Sequence, residues 1–217
     1  MMTFRSVLWQ RRHVGALVGI LSALCMAGPD RASAACPTTA DLDGGVRAVF
    51  ANGGATDYRR LDSNLLEIFE PSGTRGTDGI VYTSQYGLYD LEAAEVFAGK
   101  RNQESRVILT YSEPVTNLPL PVSGKIWFGA ITTSWPDGEL VTDTAVYVFG
   151  NGDRRRINGC DYDVVPVKAS FIAGQDWIMH DYIFIPSLPL AILTGRQFPG
   201  MANPEGRALA RLEPISR

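Results

Sequence analysis

From Val46 onward the chain is a succession of short β-branched and aromatic runs, each closed by Gly, Asn, Asp or Pro. That punctuation limits the possible folds more than any other feature. VRAVFANGG, LLEIFEPSG, IVYTSQYG, RVILTYSEP, KIWFGAITTSWPDGELVTDTAVYVFGNG and YDVVPVKASF all have this form. Such runs read as antiparallel strands joined by tight turns. SWPDGEL is the clearest hairpin: Pro136 presets a turn φ, and Asp137 and Gly138 tolerate turn geometry. Asn52-Gly53 and Asn151-Gly152 are further hairpin signals. Helical signal is thin. DLEAAEVFAGKR (Asp90–Arg101) has good helix formers behind a possible Asp90 cap, with Gly99 as a stop, and NPEGRALARLEP is similarly ambiguous. The expectation is an all-β protein, an antiparallel β-sandwich or distorted barrel with little helix.

The chain also echoes itself. Val49-Phe50-Ala51-Asn52-Gly53 returns as Val148-Phe149-Gly150-Asn151-Gly152, and Arg59-Arg60-Leu61 as Arg155-Arg156-Ile157. Leu88 and Leu91 fall against Leu190 and Leu193, and RVILTYSEP faces RALARLEP, both ending Glu-Pro. A period of this length is too long for a solenoid and suits two packed halves. The expected organisation is one compact domain over 35–217. It consists of two similar β-meanders, about 46–114 and 145–214, joined by a hairpin segment over 115–144. Neither half can bury both sheet faces alone, and a cleft between them is the default ligand site.

Residues 1–34 stand apart from this pattern. Arg5, Arg11 and Arg12 precede an uncharged apolar stretch, Val14 to Ala27, and Ala32-Ser33-Ala34 has the form of a secretory cleavage site. A cleaved signal peptide is expected, and with it a periplasmic or secreted protein. The leader removes four arginines and one aspartate from 20 basic and 23 acidic residues, leaving 16 against 22 and a net charge of −6. An acidic chain lacks the Lys and Arg that drive counterion release, so nucleic acid is not an expected partner. The Arg154-Arg155-Arg156 run reads as the solvated side of a hairpin. The longest later apolar stretch, Tyr182–Leu193, is too short for a spanning helix and carries Pro186 and Pro189.

Cys25 leaves with the leader, so the mature chain holds Cys36 and Cys160. An even cysteine count in an exported protein points to a disulfide between them. Against the first copy, Cys160 aligns with Asn64, so the repeat itself does not require a thiol there. Cys36 could carry a lipid, anchoring the protein at a membrane surface, but Ser33 stands where lipoprotein signals favour Leu. Cys160 could be a nucleophile, but its only available base would be His180, the single histidine of the mature chain.

Other chemistries are poorly represented. One His and two paired Cys cannot assemble a zinc set. ADLDGG (Ala40–Gly45) lacks the later ligands of a calcium loop. GTRGTDG has no lysine and no following helix, and no G-x-S-x-G occurs. No catalytic residue, metal or cofactor is therefore assigned. Trp127, Trp135 and Trp177 are candidates to line a ligand cleft, although aromatics on alternating strand positions more often fill cores. The functional expectation is a non-catalytic β-module binding a protein partner or lipid of the cell envelope. The alternative, a carboxylate-dependent hydrolase, requires two acids in one concave pocket.

Overall fold

The computed structural model describes residues 36–72 and 76–215, and the leader expected over 1–34 lies outside them. The chain is all-β and antiparallel. The first seven strands are β1 (Val46–Phe50), β2 (Ala55–Asp62), β3 (Leu65–Ser72), β4 (Asp78–Gln85), β5 (Tyr89–Phe97), β6 (Lys100–Arg101) and β7 (Val107–Tyr111). There follow β8 (Ile126–Ser134), β9 (Leu140–Phe149), β10 (Asp153–Ile157), β11 (Cys160–Ala173), β12 (Asp176–Ile185), β13 (Leu190–Gln197), β14 (Glu205–Gly206) and β15 (Leu209–Pro214). The only helical pieces among the described residues are 3₁₀ turns at Thr39–Asp43, Gln103–Ser105 and Val115–Asn117.

The ladder runs β14-β13-β12-β11-β9-β8-β7-β5-β4-β3-β2-β1-β15, with β10 beside β11 and β6 beside β5. The sheet is not closed into a barrel. Its two ends are nevertheless neighbours in the chain, because only Arg207 and Ala208 separate β14 from β15. SWPDGEL forms the β8–β9 turn, with the Gly138 N–H donating to Trp135 O at 3.0 Å and the Trp135 N–H to Glu139 O at 2.9 Å.

Asp90–Arg101 is not a helix. Asp90 to Phe97 belong to β5, which pairs with β4 and β7. Ala94 and Val96 pack with Val81 in a small apolar cluster. Sheet pairing on both edges outweighs a modest helical propensity, and Gly99, at φ +74°, turns the chain into β6 rather than ending a helix. NPEGRALARLEP forms β14 and β15.

Two apolar clusters make the core, and β12–β13 lies between them. Ile183, Ile185, Leu190 and Ile192 join Phe50, Tyr58, Leu66 and Leu212 on one side. Tyr182, Phe184, Ala191 and Leu193 join Tyr89, Trp127, Tyr147 and Val167 on the other. A hairpin buried on both faces needs apolar residues at consecutive positions rather than alternate ones. This accounts for the unbroken YIFI and LAIL runs.

The turns of β4–β5 and β12–β13 carry the same bond: the Leu88 N–H donates to Gln85 O and the Leu188 N–H to Ile185 O, each at 3.0 Å. The Ala191 N–H donates to Tyr86 O at 2.7 Å, joining one hairpin to the other. Gly87 allows this approach, since a Cβ there would lie 2.7 Å from Ala191 O and its φ is +71°. β1 pairs directly with β2, whereas β9 pairs with β11 and leaves β10 to one side.

Candidate functional site

A cavity of about 230 Å³ lies between the inner face of β2–β5 and the β12–β13 hairpin. One wall is a cross-strand row, Tyr58–Ile68–Tyr82, set by the β2–β3 and β3–β4 registers. The facing wall carries His180, Tyr182, Leu193 and Arg196, with His180 and Arg196 opposite each other in the ladder. Glu70 and Asp90 are the acids of the cavity.

Strand alternation places these groups. Leu66 and Ile68 point into the core, so Glu70, next in phase, points inward as well. His180 is likewise in phase with Tyr182 and Phe184. On β5, Tyr89 faces the aromatic cluster, so Asp90 faces the cavity. A charged residue continuing an inward apolar phase is costly to bury without a partner.

Glu70 has partners. Arg196 Nη2 donates to its Oε2 at 2.8 Å, and Arg207 Nη2 donates to its Oε1 at 3.1 Å. Burial acts to raise the Glu70 pKa, but the two guanidiniums more than offset it and hold the carboxyl below its ordinary range. Arg196 is held above its ordinary range, because the Glu70 charge outweighs the cost of burial. Arg207 also donates to Leu193 O at 3.1 Å and lies 4.3 Å from the centre of the Phe50 ring, in cation–π contact.

Asp90 is different. Burial pushes its pKa up to about 7. Its ladder partner Ser84 opposes that rise, although the buried Ser84 hydroxyl finds no hydrogen-bond partner of good geometry. Ser84 is thus a weak polar neighbour of Asp90 rather than a full donor. Burial, reinforced by the positive charge of Arg196, pulls His180 down to about 4, so its imidazole is neutral at pH 7. His180 Nδ1 lies 3.1 Å from the Tyr182 hydroxyl. Burial raises the phenols of Tyr58, Tyr82 and Tyr182, which keep their protons.

The three tryptophans lie elsewhere, and none lines this cavity. Trp127 is buried against Tyr89, Tyr111 and Tyr147, with ring centroids 6.1, 6.1 and 5.6 Å away. Trp135 is in the β8–β9 turn, and Trp177 stands opposite Ile172 on the β11–β12 ladder. Cys36 and Cys160 form a disulfide with Cα atoms 5.6 Å apart. The bond occupies the sulfur that either a lipid thioether or a nucleophilic thiol would need.

The outer face of β8–β9 is a second feature. Ile126 stands opposite Val148, and Phe128 opposite Val146. Ile126 and Phe128 are 64% and 74% exposed. Further along, the Thr132 and Thr142 hydroxyls are 3.0 Å apart. None of the outward positions, alternating from Ile126 to Ser134 and from Leu140 to Val148, is charged. Charged residues are common on this chain's other strands, so an uncharged face stands out.

Among the described residues no helix is long and apolar enough to cross a membrane, and no group of three or more His, Cys, Asp or Glu is placed to hold a metal ion. No protein-family model and no curated protein matches the chain. Among solved structures, the hypothetical lipoprotein YmcC from Escherichia coli K12 is similar at 9% identity and a TM-score of 0.41, over 79% of this chain and 87% of that one.

Proposed function

We propose that this is an exported, non-catalytic β-module that docks a protein partner of the cell envelope through the outer face of β8–β9. The observation that carries the reading is the uncharged Ile126–Phe128–Val146–Val148 patch on the surface of an acidic chain. Contiguous exposed apolar surface of this kind marks interaction sites, and loss of charge from the centre is the compositional signature of protein interfaces. The disulfide supports export, because such bonds persist in oxidising compartments. A lipid ligand is disfavoured: the cavity holds an ion cluster, which an acyl chain would have to desolvate. A photo-crosslinking residue at Val148 should give a discrete protein adduct in the envelope, and Phe128→Asp should abolish it without lowering Tm. Adducts with lipid alone, or adducts indifferent to Phe128→Asp, would rule the face out.

A second reading, the carboxylate-dependent hydrolase, has one observation in its favour. Glu70 and Asp90 share a cavity and have pKa values pushed in opposite directions, the pattern of an acid beside an ionised carboxylate. Against it, Glu70 is already committed to two arginines. Hydrolysis of a nitrophenyl glycoside that disappears in Asp90→Asn would favour this reading over docking alone.

A further inference from the structure

We propose that the cavity between β2–β5 and β12–β13 binds a small neutral polyhydroxyl ligand about the size of one sugar ring, held by Asp90, His180 and the hydroxyl of Tyr58. The proposal concerns a different surface from the docking face and holds whether or not a bond in the ligand is cleaved.

Size comes first. The cavity has a volume of about 230 Å³. By the same measure a single water needs only about 10–15 Å³. A single six-membered ring with its hydroxyls is on the scale of the cavity.

Charge comes second. Glu70 is matched by Arg196 at 2.8 Å and Arg207 at 3.1 Å. An anionic ligand would have to displace Glu70 from these partners, and a cationic ligand would enter beside two guanidiniums. Either would leave a charge unpaired in a partly buried site, which is strongly unfavourable. A neutral ligand disturbs neither contact.

Hydrogen-bonding capacity comes third. Tyr58 is almost fully buried and lines the cavity, opposite Ile68 on the β2–β3 ladder. His180 lines the cavity, with its Nδ1 held 3.1 Å from the Tyr182 hydroxyl. Asp90 lines the cavity beside Ser84, its ladder partner, and within reach of the charges of Glu70 and Arg196. Buried polar groups in folded proteins are nearly always satisfied, and the polar side chains of Tyr58, Asp90 and His180 converge on this one space. They include both donors and acceptors, as a ring of hydroxyls requires. Tyr58, Tyr82 and Phe198 also line the cavity and supply apolar surface for the C–H side of such a ring. Arg196, about a third exposed at 34%, marks the side open to solvent.

The test uses the oxidised mature protein at pH 7, titrated by calorimetry and saturation-transfer NMR with D-glucose, D-galactose, N-acetyl-D-glucosamine and myo-inositol. D-glucuronate and D-glucosamine serve as charged counterparts. At least one neutral compound should bind at about 10 mM or tighter, and its charged counterpart about tenfold more weakly. Tyr58→Phe and Asp90→Asn should each weaken binding by roughly tenfold while the near-UV circular dichroism stays native. Phe128→Asp should leave binding unchanged, which separates this site from the docking face. No saturable binding by any neutral compound, equal binding of glucuronate, or binding indifferent to both cavity variants would overturn the proposal.

Discussion

Asp90 and His180 face the same cavity and respond to pH in opposite ways. The folded pKa of Asp90, about 7, lies above the 3.8 of the free side chain, so the folded state keeps a proton that the unfolded chain has released. Stability from that proton is fully present below about pH 4 and is lost as pH rises towards 7. His180, at about 4 against 6.5, works the other way: the unfolded chain takes up the proton first as pH falls. Its contribution is present above about pH 6.5 and declines towards pH 4. Asp90→Asn removes the alkaline loss. Thermal unfolding should show the variant more stable than wild type at pH 8, on the order of a few kcal/mol, with the gap closing at pH 4.5. A gap independent of pH would mean that Asp90 is not protonated in the native cavity. An NMR titration of His180 that stays flat from pH 8 to 5 would agree with its depressed pKa, whereas a midpoint near 6.5 would not.

At the scale of elements, the β12–β13 hairpin carries the packing. Ile185 and Leu190 are fully buried in one cluster, and Phe184 and Ala191 are fully buried in the other. Truncating a side chain enclosed in this way loses its transfer free energy and leaves a cavity that neighbours on two sides cannot collapse to fill. Ile185→Ala should cost about 2–5 kcal/mol in urea unfolding. Ile172→Ala, at an exposed end of β11, should fall within roughly 0.5 kcal/mol. Equal costs would show that the hairpin is not the centre of the core. The alternation rule that identifies half-buried strands does not pick out this hairpin from sequence, because two-sided burial erases the period. For the same reason Tyr182–Leu193 reads as an apolar stretch judged only against a membrane span. β5 misleads in the opposite direction: its Glu and Ala residues favour helix locally, and only pairing with β4 and β7 makes it a strand.

Over the whole molecule, two long-range ties supplement the ladder. The Glu70–Arg196–Arg207 cluster links β3 to β13 and to the two-residue link between β14 and β15. The Cys36–Cys160 bond closes a loop spanning 124 residues and anchors the N-terminal segment. In that segment Leu42 is buried in the core, and the Thr39 hydroxyl donates to Ser187 O at 2.6 Å on the β12–β13 turn. Restricting the unfolded chain over such a loop is worth roughly 3–5 kcal/mol. Reduction should therefore lower stability by about that amount and raise the intact mass by about two daltons. A reduced protein as stable as the oxidised one would show that the N-terminal segment is held by packing alone.

Local chemistry along the chain was sufficient for the all-β class, for most strands, for the β8–β9 turn and for the cysteine pairing. These follow from side-chain shape, turn preference and an even cysteine count. The cavity was only partly legible. Leu66-x-Ile68-x-Glu70 and His180-x-Tyr182-x-Phe184 place polar groups in an inward phase, which signals a buried polar site. Its partners could not be read in the same way, because Arg196 lies 126 positions beyond Glu70 and beyond a register shift between β12 and β13. The tertiary structure alone decided that Trp127 packs in the core rather than lining a cleft. It also decided that Tyr182–Leu193 is a hairpin buried on both faces, and that Glu70, Asp90 and His180 share one space. Pairing strands far apart in sequence determines which faces meet, and each strand by itself carries only its own alternation.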